Sequence, residues 1–133
     1  MQIARNLAAA LMLLVPNFAA AQSTVSIHAI RPIPGYVCMA LNLSDRQMMD
    51  PSVHVPIRAA PSSDAATTGN AIATVIVAWP KREENGYLQV LQLNGRTGWI
   101  QAQFLKPWQN PSGNGQRCYP SMMSNGRVGF DYH

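Results

Sequence analysis

Charge is what this chain has least of. Only 12% of its 133 residues are Asp, Glu, Lys or Arg, and six of those are acidic. Hydrolysis by paired carboxylates needs two acids held across a cleft. Here Glu83 and Glu84 sit in a polar stretch beside Lys81 and Arg82, where opposite charges largely cancel. The formal net charge is +4, yet the basic residues are scattered, with no run longer than Lys81-Arg82. That pattern excludes nucleic acid as the expected partner and supports no more than a mild attraction to an anionic polymer.

Histidine is also scarce, at three residues, and His28, His54 and His133 are dispersed. His28 and His54 alternate with apolar neighbours, the pattern of ordinary strand residues. The sequence contains no Cys-x-x-Cys, no His-x-x-x-His, no phosphate-cradling glycine loop and no Gly-x-Ser-x-Gly elbow. No metal, no cofactor and no enzymatic activity are expected from it.

Long apolar runs are missing as well. Leu7 to Val15 is the longest, and a membrane span needs about 20 residues. Arg5 before that run, Pro16 after it and the small residues Ala19-Ala20-Ala21 have the form of a secretory signal peptide cleaved near Ala21. The expected mature protein starts at Gln22 and is exported, periplasmic or secreted, with no membrane span. Export gives the two cysteines, Cys38 and Cys118, a meaning. An even count in a small secreted chain favours one disulfide. The competing reading, a catalytic thiol, needs a basic niche and a His partner, and no nucleophile signature surrounds either residue.

What is present is strand signal. Tyr87 to Leu93 and Arg96 to Gln101 flank Asn94-Gly95, the pair that favours a two-residue type I′ hairpin. Leu88 and Val90 alternate with Gln89, and Gly98 gives Trp99 room against neighbouring backbone. Tyr36 to Leu43 is apolar and fits strand or helix. Ser44 with Gln47 has the capping-box form, so Asp45 to Met49 reads as a short helix ended by Asp50-Pro51. A short strand is expected at Val25 to Ala29, ahead of a proline-rich lead. Pro56 requires an edge or a bulge in the strand around it. Ser62 to Asn70 reads as a long mobile loop, Ala71 to Trp79 as a strand, and Pro80 to Asn85 as a polar loop. Gln109 to Gly115 has linker composition, and Asn125-Gly126 suggests a second small hairpin.

The run Gly86, Tyr87, Val90, Gly98, Trp99, Ile100 and Leu105 resembles the signature of the bacterial SH3-like (SH3b) domain family. Val55-Pro56-Ile57-Arg58-Ala59-Ala60-Pro61-Ser62 resembles that family's opening strand, with Pro56 in place of the usual Asn and Ala60 in place of Gly. The resemblance implies an all-β fold, a small SH3-like β-barrel over residues 53–108. An N-terminal extension (22–52) and a C-terminal extension (109–133) flank it, following a signal peptide at 1–21. One short helix and a Cys38–Cys118 staple complete the expected fold.

The family is a binding scaffold with many clients, so the aromatics become the candidate site. Trp79, Tyr87 and Trp108 are the candidate ligand-binding residues, while Trp99 is expected in the core. Tyr87 fits groove or core equally, and Trp108 fits a groove or a cover for the barrel's open end. The resemblance implies a non-catalytic exported module that binds cell-wall (peptidoglycan) peptide or an exported protein partner. The alternative is a structural or inhibitory periplasmic protein that acts through its extensions.

Overall fold

The computed structural model describes residues 12–133. The first half of the expected signal peptide, residues 1–11, lies outside the described residues. Residues 12–28 form no regular element, and the side chains of Leu13, Leu14 and Phe18 are exposed. The fold is all-β with one short α-helix and one disulfide. Eleven strands follow in order: β1 Ala29–Pro32, β2 Tyr36–Leu41, β3 Pro56–Arg58, β4 Thr67–Asn70, β5 Thr74–Ala78, β6 Glu83–Glu84, β7 Tyr87–Leu91, β8 Thr97–Gln101, β9 Leu105–Pro107, β10 Cys118–Met123 and β11 Val128–Tyr132. Helix α1 is Asp45–Met49, and a single 3₁₀ turn, Ala102–Phe104, links β8 to β9.

The strands form two antiparallel sheets. The large one has the order β4-β3-β8-β7-β5-β2-β9, with β6 added alongside β7; the small one is β1-β10-β11. The large sheet is an open path, with β4 at one edge and β9 at the other. Inside it lies β5, Thr-Val-Ile-Val-Ala, four of whose five residues are buried. A strand buried without alternation must be covered on both faces. Val75 and Val77 point into the main core with Met39, Leu41, Val55, Ile57, Leu88, Val90, Ile100 and Leu105. Ile76, on the opposite face, pairs in register with Cys38 of β2. Cys38 is bonded to Cys118 of β10, so the small sheet covers that face.

Strand β2 comes from the expected N-terminal extension, yet it lies inside the large sheet between β5 and β9. The large sheet therefore has no break at residue 53. Its apolar run, Tyr-Val-Cys-Met-Ala-Leu, suits a strand with neighbours on both sides. The C-terminal extension folds with the N-terminal one, because β10 pairs with both β1 and β11.

Local chemistry explains the turns. Ser44 Oγ accepts from the Gln47 N–H at 3.2 Å, and Gln47 Oε1 accepts from the Ser44 N–H at 2.9 Å. This reciprocal cap sets the start of α1 as its spacing requires. The type I′ geometry appears at a different Asn-Gly pair from the expected one. Asn85 and Gly86, between β6 and β7, both have positive φ (50° and 78°), the requirement for a two-residue I′ turn. At Asn94-Gly95 only Gly95 is left-handed, with φ 85°. There the Gly95 N–H donates to the Gln92 carbonyl at 2.9 Å and the Gln92 N–H to the Arg96 carbonyl at 2.8 Å. Five residues separate the paired ends Leu91 and Thr97, so the connection is a wider turn with one left-handed residue. Asn125-Gly126, between β10 and β11, repeats it: the Gly126 N–H reaches the Met123 carbonyl and the Met123 N–H the Arg127 carbonyl.

Other expectations shift. The first strand lies at Ala29–Pro32 rather than at Val25 to Ala29, and Pro32 is tolerated because β1 is an edge. The polar stretch Ser62 to Asn70 is not one loop: Thr67–Asn70 forms β4 against β3, where β-branched threonines suit a half-exposed edge. The loop Pro80 to Asn85 contains β6, whose two glutamates pair with Tyr87 and Leu88 of β7. The pairing of β3 with β4 is irregular between Ile57 and Arg58, the bulge that Pro56 calls for.

Gly98 has a role other than making room for Trp99. It is buried on the core face, and a Cβ there would lie 2.5 Å from Ile57 Cγ2 and 3.3 Å from the Arg58 carbonyl oxygen. Trp99 is half-buried on the other face of β8 and does not belong to the core cluster. Gly98→Ala is expected to destabilise the fold by about 1–3 kcal/mol, the range for overpacking, as read by urea unfolding. An unchanged midpoint would mean that Ile57 yields freely.

Candidate functional site

Each candidate aromatic is positioned by the strand it follows or opens. Trp79 is the first residue after β5 and is half exposed, at 50%. Its N–H donates to the Gly35 carbonyl at 2.9 Å, which fixes the backbone from which the ring projects. Trp108 directly follows β9 and is half-buried. The antiparallel neighbours of β2 on either side, β5 and β9, thus deliver the two indoles to the same end of the sheet.

Between them lies a groove of about 380 Å³ lined by Trp79, Trp108, Pro107 and Lys81, with Val37, Cys38, Met39 and Leu105 completing it. Lys81 Nζ stands 5.8 Å from the centre of the Trp79 ring, within cation–π range. Trp108 in turn packs at a 6.0 Å centroid distance against Tyr132 of β11, which itself neighbours Phe130 at 6.4 Å. Sequence reasoning missed Tyr132 and Lys81. The period of β11 gave no sign that the small sheet would back the groove.

Tyr87 is not part of this site. It is 5% exposed and pairs in register with Gln101, whose Nε2 donates to the Tyr87 hydroxyl at 3.4 Å. The depression it borders is small, about 50 Å³, and lies with Arg58, Ser63 and Phe104. Tyr87 begins β7 where Gly86 turns the chain inward, and it becomes a packing residue for that reason. The structure therefore brings two of the three candidate rings together and buries the third elsewhere.

The disulfide forms between the two expected residues. Cys38 and Cys118 are bonded, with Cα atoms 6.0 Å apart, and Cys38 lines the groove. Among the described residues there are no free cysteines and no group of three His, Cys, Asp or Glu that could hold a metal ion. No helix of the described residues is long and apolar enough to cross a membrane. Asp50 has its carboxyl held below the ordinary carboxylate range by hydrogen bonds from the Ser52 hydroxyl and N–H; it borders a separate depression behind α1.

The groove offers a nonpolar floor, two indole walls and one cation. That set can stack on and enclose a partly apolar ligand. No family model matches the chain, and no curated protein or solved structure matches it significantly.

Proposed function

We propose that this protein is an exported, non-catalytic binding module of the bacterial SH3-like kind, and that it takes cell-wall peptide in the Trp79–Trp108 groove. The observation that carries the reading is the convergence of these two rings, half exposed and half-buried, on one apolar groove. Buried stabilising aromatics need no such arrangement, whereas paired indoles flanking an open groove are a usual device for holding a flexible ligand. The succession β5, β7, β8, 3₁₀ turn and β9, with the Gly-Trp-Ile run on β8, supports the SH3-like assignment. A single disulfide joining two sheets supports passage through an oxidising compartment, in line with a signal peptide cleaved near Ala21.

The groove also bears on the role of the extensions. Val37 and Cys38 come from the segment before residue 53, and Tyr132 backs Trp108 from the segment after residue 108. An exported protein partner that uses the extensions would meet the same surface.

The test is retention on purified peptidoglycan sacculi. Wild-type protein is expected to sediment with them. Trp79→Ala and Trp108→Ala are each expected to weaken retention about tenfold or more, as removal of an aromatic anchor does. Tyr87→Ala is a poor control, because it disturbs packing; Ile72→Ser, at an exposed position away from the groove, is the suitable one. No sedimentation of the wild type would remove the cell wall as ligand.

A further inference from the structure

The groove does not stop at Trp108. On the far side of that ring is a second concavity of about 390 Å³, lined by Val37, Cys38, Trp108, Asn110, Gln116, Arg117 and Cys118. Val37, Cys38 and Trp108 line both depressions, so the ring is a ridge shared between them. The two halves differ in chemistry. The Trp79 side is apolar with Lys81 at it; the Arg117 side is polar, with two amides and a guanidinium.

The far wall is built rather than loose. Asn110 Oδ1 accepts from the Ser112 N–H at 2.9 Å and from the Ser112 hydroxyl at 2.7 Å, and Asn110 Nδ2 donates to the Gln116 carbonyl at 3.1 Å. The stretch with linker composition is thus a hydrogen-bonded turn. Arg117 is fixed at the backbone: its N–H donates to the His133 carbonyl at 2.9 Å, and its carbonyl accepts from the His133 N–H at 3.1 Å. Cys118, next in sequence, is tied to Cys38.

Charge selects the occupant. No Asp or Glu lines either depression. Lys81 and Arg117 are both exposed, and the one ion pair among the described residues joins His133 and Asp131. Each half of the cleft therefore presents a cation with no internal carboxylate partner. We propose that the two concavities form one cleft for an extended acidic peptide that crosses Trp108 and places a carboxylate at Lys81 and another at Arg117. This rests on the groove reading above and adds to it the charge of the ligand and a second subsite. Apart from Trp108, that subsite is built by residues outside the stretch that resembles the SH3-like family.

The experiment is a tryptophan-fluorescence titration of the full chain with soluble stem peptides released from peptidoglycan, used as free acids and with their carboxyls converted to amides. The free acids are expected to bind about tenfold more tightly than the amides, at low salt, from two solvent-exposed ion pairs. Lys81→Gln and Arg117→Gln are each expected to weaken the free acid about threefold and the amide less, so that the preference for the acid narrows. Both side chains are exposed, and a urea-unfolding midpoint equal to that of the wild type verifies that the variants fold. Equal affinity for acid and amide, with Trp79→Ala still weakening both, overturns the carboxylate proposal and leaves the groove as a binding site. Absence of binding by either form overturns both.

Discussion

The double variant Cys38→Ser, Cys118→Ser is expected to lose about 4 kcal/mol of stability and to melt more than about 10 °C lower than the wild type. The bond closes a loop with a sequence separation of 80, so it removes a large share of the unfolded chain's freedom. Among the described residues it is also the one covalent cross-link between the two sheets beyond the chain itself. Otherwise the small sheet is held by the packing of β10 on β2, by the Trp108–Tyr132 contact, and by a main-chain hydrogen bond from the Val128 N–H to the Leu93 carbonyl at 3.1 Å. A three-stranded sheet needs a covered hydrophobic face to be stable, and here the large sheet covers that face. Hydrogen exchange in the variant is therefore expected to rise first in β10 and β11 and last in β5 and β7. Ligand binding falls with it, because Cys38 and Cys118 line the cleft and Tyr132 supports Trp108. A variant that melts within a few degrees of the wild type would show that packing alone holds the sheets together.

Ile100→Ala is expected to cost about 2–5 kcal/mol, the range for deleting a large buried aliphatic side chain. Ile100 is 0% exposed and packs in the main core with Val90, Leu88 and Ile57. Its neighbour Trp99 is larger, but it is half-buried on the opposite face of β8. Trp99→Ala is expected to cost about 1–2 kcal/mol, since only part of its area leaves water. The order of these two effects reports the register of β8, because a slip of one residue would exchange the two faces. Urea unfolding of both variants gives the comparison; Trp99→Ala as the more damaging change would contradict the pairing of Leu88 with Ile100.

Features decided within a few residues were legible in the sequence. The Ser44–Gln47 cap needs only its own first turn, and it forms as its spacing demands. The hairpin at Asn125-Gly126 and the strands on either side of Asn94-Gly95 rest on turn residues and apolar runs, and both are present. The even cysteine count marked the pair that bonds. The turn at Asn94-Gly95 was only half legible. Its residues allow a type I′ turn, but the pairing of Leu91 with Thr97 leaves more residues than that turn uses. Register is a property of two strands, and no local stretch contains it.

The same limit governed the site. The tendency of Trp79 toward exposure was readable from Pro80 and the polar stretch after it. That Trp108 stands opposite depends on β2 pairing with β5 on one side and β9 on the other. Tyr87 shows the converse: its neighbours suited a groove or a core, and the Gly86 turn with the Gln101 pairing chose the core. Asn110 lay in a stretch of linker composition and Arg117 just beyond it, and the disulfide and the His133 pairing fixed them beside Trp108.

By itself, then, the amino-acid order determined that the chain is all-β, that a short helix follows the Ser44 cap, that its cysteines pair and that no dense charged or metal-binding motif is present. Strand propensity, capping and turn chemistry act over a few residues and are written there. Tertiary structure alone decided that β2 enters the large sheet, that strands of the two extensions form a second sheet over Ile76, and that two indoles flank one groove whose neighbouring depression shares Trp108. Those outcomes depend on burying both faces of β5, and that requirement acts between segments far apart in the chain.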